Sequence, residues 1–188
     1  MTDIEKLIEI EELRRLEARY AYYADHKKWS NLAGLFSVNG WFRPLDVEGN
    51  EIFKMVGREE IAFALASRNS GDVQPIHQLF THEINILSPT SATAIWAMAD
   101  FIFRGDSAIP ERDPAAKMPP FRTMRGWGHY HVTYEKTEER SAAEAEREKP
   151  FPGADLSSVE VEGPRPSRSP AWRIATRTQT RTRLEFTY

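Results

Sequence analysis

The chain has 188 residues, enough for one domain to bury most of the surface its unfolded form exposes, so a single core is the expectation. Hydrophobic residues at 40% and charged residues at 28% exclude wholesale disorder and fibrous repeats, and the net charge of -3 argues against a nucleic-acid surface. The absence of cysteine removes disulfide and thiolate chemistry, which fits a cytoplasmic address.

The opening stretch carries acids where a secretion signal needs a positive start, and no segment is apolar enough to span a bilayer, so no membrane partner is expected. From Thr2 or Asp3, both plausible caps, the sequence reads as a helix with Ile10, Leu13, Tyr20 and Tyr23 near helical spacing. It should end near His26, Lys27 and Lys28, whose charge suits a helix C-terminus. A short second helix fits Trp29 to Phe36. Asn39-Gly40 then has the residues of a tight turn and marks the switch into a strand at Trp41-Phe42. Arg58 to Ser67 returns to helix, with Ile61 and Leu65 one turn apart.

Long extended runs follow at His77 to Leu87, Ala92 to Phe103, Thr123 to Lys136 and Trp172 to Phe186. In the last run, strict alternation puts Trp172, Ile174, Thr176, Thr178, Thr180, Thr182 and Leu184 on one face. Arg173, Arg177, Gln179, Arg181 and Arg183 fall on the other, a face expected to be solvated or paired with acids across the sheet. Helices first and adjacent long strands afterwards predict an α+β domain with a curved, mainly antiparallel sheet. Ser107 to Pro120 is a Pro-rich connection, and 137–170, which lacks an apolar period, reads as a flexible insertion or an oligomer arm within one domain over 1–188.

Two residues stand out chemically. Asp25 closes the run Tyr20-Ala21-Tyr22-Tyr23-Ala24-Asp25, where a carboxylate inside a segment suited to burial needs a partner. Its plain structural roles are to cap the following helix or to pair with Lys28. His77 follows Pro75 at the start of a strand. His129 and His131 form a His-x-His pair with Glu135 on the same strand face, similar to the core of a cupin metal motif. The flanking glycines of that motif are missing and no histidine follows His131, so neither a metal nor any other cofactor is expected. His82 reads as structural. The aromatic residues Trp41, Phe42, Trp96, Phe101 and Phe103 are core material, some of it suited to line a cavity.

The segments IEELRRLEARYAYYADHKKWSNLAGLF, PIHQLFTHEINI, ATAIWAMADFIF, GHYHVTYEK and AWRIATRT, in that order, resemble the SnoaL-like branch of the nuclear transport factor 2-like superfamily. The resemblance implies a cone, with a curved sheet wrapped round the helices and an apolar cavity at one end. It implies that Asp25 and His77 are a catalytic pair, with Tyr20 as a phenolic third member, as in dehydratase and dehydrochlorinase members. Asp100 and Arg181 match pocket positions, and Trp41, Trp96, His129 and His131 are candidate substrate-binding residues. Thr81 and Pro44 depart from the pattern, standing where Asn and near where a pocket Tyr are common. The implied activity is a cofactor-free lyase eliminating water or another small leaving group from a hydrophobic cyclic or aromatic substrate. Two rivals are an isomerase of ketosteroid type, using Asp100, and a non-catalytic small subunit of a ring-hydroxylating dioxygenase. A homo-oligomer, dimer or trimer, is the expected assembly.

Overall fold

The computed structural model describes residues 1–106, 120–137 and 171–188. The expectations for the Pro-rich connection and the insertion therefore lie outside the described residues, apart from Pro120 and Thr137. The order of elements is α1 (Asp3–Asp25), α2 (Trp29–Gly34), β1 (Phe36–Pro44), β2 (Met55–Val56), α3 (Arg58–Arg68), β3 (Val73–Ser88), β4 (Ser91–Arg104), β5 (Thr123–Thr137) and β6 (Ala171–Thr187). The strands form one open, curved sheet in the order β2-β1-β6-β5-β4-β3, with only β1 and β6 parallel. The N-terminal helices pack on its concave face, so the α+β cone expected from the element order is the fold observed.

α1 starts with a capping box between Thr2 and Glu5, which satisfies donors that the first turn leaves open. It buries Leu13, Leu16, Glu17, Tyr20, Tyr23 and Ala24, a stripe at i, i+3, i+4 and i+7 spacing. The helix stops in a Schellman turn. Lys28 N donates to the Tyr23 carbonyl and Lys27 N to the Ala24 carbonyl, with Lys27 in the left-handed region at φ 54°. This turn aims the chain into α2 and leaves Asp25 at the last helical position.

Two expectations on the connection to the sheet need correction. Helix α2 ends at Gly34, and Phe36 already belongs to β1. Asn39-Gly40 is not a turn between elements; it lies inside β1, where the register with β6 shifts between Phe36 and Trp41. Gly40 is needed there because a side chain would press on the Ile174 carbonyl, 2.7 Å from where its Cβ would stand.

The alternation expected along β6 is broken twice. Tyr134 pairs with Ile174 but Thr133 pairs with Thr176, so Ala175 is an extra residue. Gly128 pairs with Arg181 but Trp127 with Arg183, so Thr182 is another. Each bulge shifts the parity of the residues beyond it. Consequently Trp172 and Ile174 share the concave face with Arg177, Gln179 and Arg181, and Leu184 rejoins that face after the second bulge. The Arg row is therefore not a solvated face in its central part: Arg177 is completely buried and Arg181 nearly so.

Candidate active site

The concave face and the helices enclose a cavity of about 480 Å³. Its walls are largely apolar, with Trp29 and Leu32 from α2, Leu65 from α3, and Phe42, Ile102 and Met124 from the sheet. Tyr20, His77, Asp100, Tyr130, Gln179 and Arg181 supply polar groups. A mostly apolar cleft with a few converging polar side chains is the general form of a small-molecule site.

Asp25 stands at the C-terminal end of α1, where the helix dipole disfavours a carboxylate. The sheet compensates. β3 is an edge strand, and one side of its backbone has no neighbouring strand. Asp25 Oδ1 accepts the His77 backbone N–H at 2.8 Å and the His77 Nδ1 hydrogen at 2.9 Å, while Gln74 Nε2 donates to the Asp25 carbonyl. Asp25 thus turns to His77 and does not cap α2, whose N-cap is Lys28 and has no side-chain cap. A carboxylate only accepts, so Nδ1 of His77 carries hydrogen, and in the neutral ring Nε2 holds the lone pair. The imidazole lines the cavity and Asp25 sits behind it.

His77 pairs in register with Asp100 on β4, which faces Gly126 on β5. Gly126 has no side chain to fill the row, and a Cβ there would overlap the Arg181 guanidinium. Through that gap Arg181 reaches Asp100 in a bidentate pair, Nη1 to Oδ1 at 2.5 Å and Nη2 to Oδ2 at 2.6 Å. Gln179 Nε2 adds a third donor to Asp100 Oδ2 at 3.2 Å. Burial opposes the charge of Arg181, but the Asp100 carboxylate outweighs it and raises the guanidinium above its ordinary value. Nε of Arg181 is buried without a hydrogen-bond partner.

Below the cavity lies a second polar cluster that alternation did not disclose. Glu17 accepts from Arg177 at 2.5 Å on both carboxylate oxygens and from the Tyr134 hydroxyl at 2.7 Å, and Trp96 Nε1 donates to Tyr134 at 2.9 Å. The Arg177 guanidinium also lies 3.7 Å from the Tyr20 ring centroid and 4.5 Å from that of Tyr130. Burial raises the Tyr20 phenol above its ordinary value, against the opposing pull of Arg177, so the hydroxyl keeps its proton at neutral pH. Tyr20 packs edge-on to the His77 ring with centroids 6.4 Å apart.

Of the residues singled out from the sequence, Tyr20, Asp25, His77, Asp100 and Arg181 are brought together. The other four are not. Trp41 alternates away from the inward Phe42 and lies beside Arg43 and Lys54. His129 and His131 alternate with the inward Tyr130 and stand on the convex face, where His131 meets Thr180 at 3.3 Å. Trp96 points inward but sits in the core outside the cavity lining, bonded to Tyr134 and stacked on His82. Among the described residues, no group of three or more His, Cys, Asp or Glu side chains gathers to hold a metal ion. Pro44, which departs from the expected pocket Tyr, does line the cavity, whereas Thr81 is exposed.

Solved structures share this fold at low sequence identity. A Novosphingobium aromaticivorans protein assigned to scytalone dehydratase aligns over 100% of this chain and 93% of its own, with a TM-score of 0.65 and 15% identity. A hexachlorocyclohexane dehydrochlorinase of Novosphingobium barchaimii aligns over 98% and 94%, with a TM-score of 0.62 and 11% identity. The β subunit of a Novosphingobium aromaticivorans protein assigned to the aromatic-ring-hydroxylating dioxygenases aligns over 96% and 93%, with a TM-score of 0.59 and 12% identity. No curated protein matches by sequence. The model of the SnoaL-like domain matches residues 5–142, most of the chain, and the protein belongs to that family.

Proposed function

We propose that the protein is a cofactor-independent lyase that eliminates water or another small leaving group from a hydrophobic cyclic or aromatic molecule. The observation that carries this reading is the 2.9 Å hydrogen bond between Asp25 and Nδ1 of a histidine whose ring lines an apolar cavity. Nε2 of His77 takes a proton from a carbon beside an electron-withdrawing group, and Asp25 stabilises the imidazolium that forms. The C–H electrons become the new double bond as the bond to the leaving group breaks. Tyr20, kept protonated by burial, or the imidazolium itself returns a proton to a departing hydroxide. Arg181, held by Asp100, stands ready to stabilise negative charge on the substrate. The dehydratase and dehydrochlorinase names of two structural neighbours, both eliminations, support the same reaction class.

The isomerase reading needs Asp100 as a free proton shuttle. Both of its oxygens accept from Arg181 or Gln179, which favours a positioning role instead. The dioxygenase-subunit reading makes no use of the Asp25–His77 pair on the cavity wall.

The test is a panel of cyclic, aromatic and steroidal alcohols and chlorides incubated in deuterated water and read by mass spectrometry. Loss of water or hydrogen chloride with the wild type, and not with His77→Ala, is the expected result. Deuterium uptake without loss of a group points to the isomerase, and equal elimination by His77→Ala overturns the mechanism.

A further inference from the structure

Gln179 is a buried amide on β6 whose orientation follows from its neighbours. The Asp100 carboxylate only accepts, so the amide nitrogen faces it at 3.2 Å, and the same nitrogen donates to the Met98 sulfur at 3.7 Å. Its hydrogens serve these two acceptors, and Oε1 is left as a pure acceptor. Tyr130, its partner in register on β5, lines the cavity beside it. Among the described residues, neither Oε1 of Gln179 nor the Tyr130 hydroxyl takes part in a hydrogen bond, and neither is sealed in protein as Nε of Arg181 is. We propose that the substrate carries a free hydroxyl group held between these two residues, its oxygen accepting from the Tyr130 phenol and its hydrogen donated to Oε1 of Gln179. This rests on the reading of the cavity as a substrate site and names the substrate class.

Both residues are held in place. The Arg177 guanidinium lies 4.5 Å from the Tyr130 ring centroid, and Tyr20 and Phe42 pack edge-on to that ring at 5.9 and 6.5 Å. Gln179 is fixed by Asp100, which Arg181 clamps in turn. Opposed residues on one sheet face have Cβ atoms about 4.5–5.5 Å apart, so this donor and this acceptor serve one small group. A hydroxyl both accepts and donates and so matches the two together. A carbonyl or ether oxygen satisfies Tyr130 but leaves the buried Oε1 without a donor, which weakens binding.

This hydroxyl is an anchor and not the leaving group. Departure as water needs an added proton, and an amide oxygen has none to give. Burial holds the Tyr130 phenol well above its ordinary value, so it offers a hydrogen bond and keeps its hydrogen. The same ligand reaches the base: His77 is in register with Asp100, to which Gln179 is bonded, and its ring packs edge-on to Tyr20, the neighbour of Tyr130.

Calorimetric titration of the whole chain with three naphthalenes tests the proposal. 2-Naphthol donates and accepts, 2-methoxynaphthalene only accepts, and 2-methylnaphthalene does neither. 2-Naphthol should bind about tenfold or more tightly than 2-methylnaphthalene, as expected where a buried acceptor otherwise goes unmet, with the ether between them. Gln179→Met should bring 2-naphthol down to the level of the ether without weakening the ether. Tyr130→Phe should bring the ether down to 2-methylnaphthalene while 2-naphthol keeps part of its advantage, and this one-atom change keeps the test open where Gln179→Met does not fold. Equal binding of 2-naphthol and 2-methylnaphthalene, an advantage unchanged in both variants, or failure of 2-naphthol to bind at its solubility limit overturns the proposal. So does an advantage lost in His77→Ala and kept in the other two, which places the hydroxyl on the histidine. Binding is read without turnover, so a failed elimination mechanism leaves this result standing, and a failed hydroxyl preference leaves the turnover test of His77→Ala intact.

Discussion

Helix α1 carries two acid pairs two turns apart, and they are built differently. Glu17 is completely buried and holds an arginine, a partner whose charge does not titrate in a protein, with Tyr134 completing its hydrogen bonds. Asp25 remains 26% exposed and holds a histidine that is 16% exposed, a neutral or cationic partner whose second ring nitrogen is left over. The first pair suits permanence: its desolvation is costly, and tight bidentate contact offsets it. The second suits turnover, because the imidazole retains one nitrogen for the cavity.

The largest expected effect separates these roles by stability. Glu17→Leu leaves Arg177 buried without its counter-charge and should cost about 3–5 kcal/mol, a large share of a domain's stability. Asp25→Asn, at a partly exposed site, should cost about 1 kcal/mol or less. Urea unfolding of both variants gives the comparison, and similar losses would collapse the distinction.

Activity should sort the other way. On whatever substrate the panel identifies, His77→Ala should lower kcat by about 10²–10⁴ with folding intact, as for loss of a general base. Asp25→Asn should be severely impaired too, and the double variant should lose much less than the sum in activation free energy, since the two act as one unit. Additive losses would separate the pair.

A smaller effect comes from alkali. Burial raises Tyr20, Tyr130 and Tyr134 above their ordinary value of 10.0. Above pH 10 the unfolded chain releases protons that the folded chain retains. Stability from these phenols is therefore complete below pH 10 and is lost as pH rises toward their folded values. Tyr20→Phe should make the alkaline fall in urea midpoint shallower, and an unchanged slope would remove Tyr20 from the cluster.

The smallest effect tests the turn that places Asp25. Lys27 adopts a left-handed conformation that glycine enters without strain. Lys27→Gly should raise stability by up to about 1 kcal/mol, less the exposed hydrogen bond from Lys27 Nζ to the Gly71 carbonyl. A clear loss of stability would mean that this bond outweighs the strain.

Local pattern in the sequence determined much of this protein. The stripe on α1, the stop after Asp25 and four long extended runs are local properties, and they were legible. Asp25 and His77 were legible because each is an unusual residue in an otherwise readable segment, and their order matched a family pattern. Tertiary structure decided which side each strand residue faces. Counting by twos along β6 assumes an unbroken ladder, but the bulge at Ala175, set by pairing with β5, turns Arg177 and Arg181 inward, and the one at Thr182 brings Leu184 back to that face. Glu17 was hidden for a related reason, since an acid on a charged helix looks solvated until the opposing strand supplies its guanidinium.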